Sequence, residues 1–113
     1  MKFKHLIIIS LIFLSSCMGK GGVKVQNNIQ QVTLQKVSWE SFSIADTLNF
    51  GITSGEKQIT DEKNYFPKIG SVEFYMVSSG KRLHLKTQQT YRLENNGALL
   101  IILSDTTKLI NLQ

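Results

Sequence analysis

The amino-acid sequence predicts an all-β fold: a small antiparallel β-sandwich over residues 32–113, with a small meander barrel as the alternative. Three observations predict it. From Val32 onward, apolar and polar residues alternate with a period of two, the spacing of a strand with one buried face. Turn-forming pairs, Ser79-Gly80 and above all Asn96-Gly97, separate the alternating runs. No window of eleven residues beyond the first seventeen carries the i, i+3, i+4 spacing of an amphipathic helix.

The chain opens on MKFKHLIIISLIFLSSC. Lys2 and Lys4 form a positive start, and Leu6 to Leu14 form a nine-residue apolar stretch broken only by Ser10. Nine helical residues cover about 14 Å, half of the roughly 30 Å hydrocarbon core, so an export signal fits better than a membrane span. The Leu14-Ser15-Ser16-Cys17 end resembles the lipobox of bacterial lipoproteins: an aliphatic residue, two small residues, then cysteine. The resemblance implies cleavage after residue 16. It also implies a diacylglycerol thioether on Cys17, and an acyl lipid on its new amino group. Two or three chains on one residue hold where a single chain is marginal. Because Met18 is not aspartate, the sorting rule of enteric lipoproteins sends the protein to the outer membrane, facing the periplasm.

Residues 17–31 read as the lipidated cysteine and a flexible tether, since three glycines and a string of amides follow Cys17. Val32 and Leu34 then alternate with polar neighbours, and the parity shifts to Val37 and Trp39. The shift predicts a bulge near Gln35-Lys36. Leu48, Phe50 and Ile52 form the next run, and residues 54–69 with Pro67 read as a loop. Val72, Phe74 and Met76 oppose Glu73 and Tyr75, and Leu83 and Leu85 oppose Arg82, His84 and Lys86. Tyr91 and Leu93 start a short run, and Asn96-Gly97 predicts a type I′ hairpin into Ala98 to Leu103. That last segment is continuously apolar, as in a strand buried on both faces. Asp105-Thr106 turns the chain into a weaker segment with Leu109 and Leu112.

Leu85 to Tyr91 resembles the corner of immunoglobulin-like and fibronectin-like domains, in which a leucine, a turn and then Thr-x-Tyr lead into the penultimate strand. The resemblance implies an immunoglobulin-like sandwich in which the Tyr91 hydroxyl bonds back to the chain. With a single cysteine there is no internal disulfide, so Trp39, Phe50, Phe74, Tyr91 and Ile101 are expected in the core.

Composition argues against most chemistry. Lys+Arg 13 against Asp+Glu 8 is a mild excess, two of the lysines lie in the leader, and no run of five basic residues occurs. Nucleic acid is therefore not an expected partner. His84, flanked on its face by Arg82 and Lys86, reads as a solvent-facing strand histidine, and Asp61-Glu62 lacks the spacing of a calcium loop. No metal and no cofactor beyond the Cys17 lipid is expected. G-x-S-x-G is absent, His5 lies in the leader and leaves His84 as the single imidazole of the remaining chain, and nothing pairs Glu40, Asp46, Glu73 and Glu94 as a glycosidase would. No catalytic residue is expected.

A binding role needs exposed anchors. Tyr65 and Phe66, in a polar loop, are the candidate partner-binding residues, with Gln88-Gln89 as a secondary contact. Lipobox followed by compact β domain is similar to small envelope lipoproteins, among them periplasmic lipoproteins proposed as immunity partners of toxic secreted effectors. The expected function is that of a membrane-anchored, non-catalytic, protein-binding lipoprotein. The alternatives are a structural or assembly subunit of an envelope complex and a small-ligand or lipid carrier.

Overall fold

The computed structural model describes residues 18–113; the leader and Cys17 lie outside the described residues. Among the described residues the fold is all-β, as the period-two pattern predicts, with ten strands and no closed barrel. In chain order they are β1 (Gly19–Asn28), β2 (Thr33–Trp39), β3 (Phe42–Leu48), β4 (Lys57–Asp61), β5 (Lys68–Gly70), β6 (Val72–Ser78), β7 (Lys81–Thr87), β8 (Tyr91–Leu93), β9 (Ala98–Ser104) and β10 (Leu109–Asn111). A five-stranded sheet in the order β10-β7-β6-β2-β3 packs on a three-stranded sheet β4-β1-β9, and β5 pairs with β8 alongside. All pairings are antiparallel except β1 with β9, which is parallel. Between the layers lie Trp39, Phe74, Leu34, Leu48, Ile59, Ile101 and Leu103, all essentially water-free. The Trp39 indole donates to the Gly70 carbonyl at 3.0 Å, so the largest core residue buries no unpaired polar atom.

The segment expected as a tether is the central strand of its sheet. β1 pairs with β4 on one side and β9 on the other. Its odd-numbered residues from Gly19 to Asn27 face inward, with Val23 and Val25 completely buried, while Lys20 and Lys24 face out. The glycines serve close packing rather than flexibility. A Cβ at Gly19 would lie 2.5 Å from the Phe66 ring, and one at Gly21 would lie 2.9 Å from a Leu93 methyl. Side chains from other elements occupy the volume that larger residues here would need.

The parity shift in β2 is a bulge, as expected: the register slips between Gln35 and Ser38, and Lys36 has φ of 50°. Ser79-Gly80 forms the tight β6–β7 hairpin, with φ of 51° and 77° as a type I′ turn requires. Asn96-Gly97 is not a hairpin. Only Asn96 has positive φ, the Gly97 N–H donates to the Glu94 carbonyl, and the turn joins β8 to β9 in different sheets.

Two core expectations fail. Phe50 is 52% exposed, because β3 ends at Leu48 and a turn follows, closed by the Ile52 N–H on the Asn49 carbonyl with Gly51 at positive φ. The alternation of Leu48, Phe50 and Ile52 runs straight through that turn. β9 is buried on one face only, through Ile101 and Leu103; among the described residues no layer covers its other face.

Tyr91 is half-buried, and burial pushes its hydroxyl above the usual tyrosine range. Among the described residues that hydroxyl has no hydrogen-bond partner, so the corner bond implied by the immunoglobulin resemblance is not made. Thr87 ties the corner instead: its buried Oγ1 accepts from the Val72 N–H at 3.0 Å and donates to the Gln89 carbonyl at 2.8 Å. Tyr91→Phe is therefore expected to change stability by less than about 0.5 kcal/mol. A loss of the ~1 kcal/mol of a hydrogen bond, read from urea denaturation, would contradict this reading.

Candidate binding surfaces

The loop between β4 and β5 separates the two candidate anchors. Asp61 organises it: one carboxylate oxygen accepts from the Lys63 N–H, the other from Lys68 Nζ, each at 2.9 Å. Lys68 and then the Lys63 N–H hold the Asp61 carboxyl below its ordinary range. Phe66 folds back over Gly19 and packs against the core, with Lys68 Nζ 5.2 Å from its ring centroid. Tyr65 is 67% exposed. Only Tyr65 of the pair can serve as an exposed anchor; Phe66 is part of the fold.

His84 has a partner that sequence reasoning missed. Register places Glu73 and Tyr75 of β6 beside Lys86 and His84 of β7. The Glu73 carboxylate lies 2.9 Å from His84 Nε2, the Tyr75 ring stacks on the imidazole at 4.4 Å, and the Arg82 guanidinium lies 3.8 Å from the Tyr75 ring centroid. The histidine is thus half-covered, and a carboxylate from the neighbouring strand orients it. The cluster spans the outer face of two adjacent strands, where such contacts staple the sheet. The four carboxylates weighed for glycoside chemistry, Glu40, Asp46, Glu73 and Glu94, fall on the β2–β3 turn, β3, β6 and the β8–β9 turn.

The third surface is β9. In a parallel ladder every second residue of a strand turns its backbone toward the partner. The Gly22 N–H donates to the Gly97 carbonyl at 3.0 Å, so residues 99, 101 and 103 bond β1, and Ala98, Leu100 and Ile102 turn their N–H and C=O groups to the free edge. These same residues point away from the core, with Leu100 52% and Ile102 48% exposed. At Ser104 the free edge is closed by the Thr107 hydroxyl, which accepts its N–H at 2.9 Å. Beside Ile102 a groove of about 660 Å³ runs between Gln88, Gln89 and Tyr91 on one side and Thr106 to Lys108 on the other. The glutamines expected as a secondary contact therefore border the exposed strand. The signal for the edge lay in Ala98 to Leu103, where six apolar residues exceed what one buried face needs.

No protein-family model, curated protein or solved structure matches the chain. Among the described residues, no group of three or more His, Cys, Asp and Glu side chains is placed to hold a metal ion.

Proposed function

We propose that the protein is an exported lipoprotein, anchored through lipid on Cys17 to the bacterial envelope, on the periplasmic face of the outer membrane. Its β domain is non-catalytic and captures a protein partner by strand addition along β9. The observation that carries this reading is the coincidence, on Ala98, Leu100 and Ile102, of outward-facing backbone groups with exposed apolar side chains. An extended segment satisfies both at once: its backbone continues the ladder, and its alternate side chains cover Leu100 and Ile102. The groove beside Ile102 gives that segment a place to continue. A carrier role is less well supported, because Trp39, Phe74 and the surrounding aliphatic residues fill the interior. A toxic effector as strand donor would mean immunity; a sister envelope subunit would mean assembly.

The test uses Leu100→Lys with Ile102→Lys, since edge lysines oppose strand addition. Both sites are exposed, so the unfolding midpoint should barely move. The stoichiometric partner that co-purifies with the parent in detergent should be lost. With the parent complex, hydrogen exchange at the Leu100 and Ile102 amides should slow. Unchanged capture by the double variant, or unprotected amides in the complex, would refute strand addition.

A further inference from the structure

The start of β1 leaves almost no chain between the proposed anchor and the fold. Met18 alone separates Cys17 from Gly19. Two residues reach at most about 7 Å, so an acylated Cys17 would hold the Gly19 end of the sandwich against the lipid headgroups. That end is well defined. Gly19 pairs with Asp61 at the end of β4, and Asn64 and Phe66 crowd over it. The Lys20 N–H donates to Asn95 Oδ1 at 3.0 Å, and the Asn96 N–H donates to the Lys20 carbonyl at 2.6 Å. The β4–β5 loop and the β8–β9 turn thus form one surface around the emerging chain. It exposes Met18, Tyr65, Lys20 and Lys63. Asp61 is neutralised by Lys68 and Glu94 by Arg92, which leaves Glu62 against the two lysines.

We propose that this surface beds into the membrane interface, with Tyr65 as its aromatic anchor and Lys20 and Lys63 meeting anionic headgroups. This rests on lipidation of Cys17. It assigns Tyr65 to lipid rather than to a protein. An amphipathic ring beside lysines suits the headgroup layer, which is apolar on one side and wet on the other. The seating also directs the strands. From Gly19 to Asn27, β1 rises about 26 Å at ~3.3 Å per residue. Ile52, whose carbonyl accepts the Asn27 N–H, therefore stands at the far end, and the β9 edge runs up the side, clear of the membrane.

The lipidated full chain tests this, because lipid occupies its only cysteine and an introduced thiol is then unique. Glu62→Cys and Ile52→Cys each carry a fluorophore in vesicles of phosphatidylethanolamine and phosphatidylglycerol with a nitroxide on the headgroups. Quenching at position 62 should exceed that at position 52 severalfold, and adding Tyr65→Ser should reduce it. Flotation of the same vesicles separates the two ideas. A chain that fails to float overturns the anchor and this inference with it. A chain that floats but is quenched equally at both positions keeps the anchor and overturns the seating. Unchanged quenching on adding Tyr65→Ser removes Tyr65 as the anchor.

Discussion

A chain beginning at Val32 should not fold. Its circular dichroism should be that of a disordered or aggregated polypeptide, without a cooperative urea transition, whereas residues 18–113 should show both β signal and transition. Deleting the first strand takes Val23 and Val25 from the core, together with Ile29 just beyond it. Each such side chain contributes about 1.5–3 kcal/mol when buried. The deletion also unpairs β4 and β9 along their whole inner edges. Against a typical total of about 5–15 kcal/mol, these losses leave no folded state. A native-like transition in residues 32–113 would mean that β1 is dispensable and that the three-stranded sheet is not part of the folding unit.

The second large effect is expected at Asn27, which is completely buried at the far end of β1. Its side-chain amide donates to the Val32 carbonyl at 3.0 Å and the Leu48 carbonyl at 2.9 Å, and its side-chain oxygen accepts from the Ile29 N–H at 3.0 Å. One residue thus ties the end of β1 to the start of β2 and the end of β3. Asn27→Leu keeps the branching at Cγ but strands three polar groups, each at a cost of about 1–3 kcal/mol. A loss of roughly 3 kcal/mol or more follows, read from urea denaturation. Asn27→Asp should be as damaging at neutral pH, because a carboxylate would face two carbonyl oxygens. Its folded pKa is raised by that repulsion and by burial. The deficit relative to the parent should therefore shrink as pH falls toward the ordinary carboxylate range, where protonation restores one donor. A loss below about 1 kcal/mol in Asn27→Leu would show that water replaces the amide.

Much of this fold was legible in the residues, and its failures have physical causes. Alternation identified the inward faces of β2 and β6, and that of β7 at Leu85 though not at the exposed Leu83, because each has one dry side and one wet side. The parity shift located the bulge, since only an extra residue can move Val37 and Trp39 onto the face that Leu34 uses. β1 was hidden because Gly19 and Gly21 lack the apolar side chains that mark an inward face; their burial comes from Phe66 and Leu93, far along the chain. Phe50 misled because alternation does not stop where a strand stops. The Glu73–His84 contact depends on strand register, which no local pattern around His84 contains. The apolar surplus of Ala98 to Leu103 was visible, and its opposite meaning, an uncovered face rather than two covered ones, depended on which strands lie beside it.

The parallel pairing of β1 with β9 sets an order of events in time. Lys20 bonds to Asn95 and Gln30 to Asp105, each across 75 residues, so the first strand finds its last neighbour only when nearly the whole polypeptide is available. Such long loop closures make for slow folding. Until that closure β4 and β9 are without the strand that both of them pair with. Docking of β1 is therefore the event that turns separate hairpins into one folded unit, since the order β4-β1-β9 has no other strand to bridge its two sides.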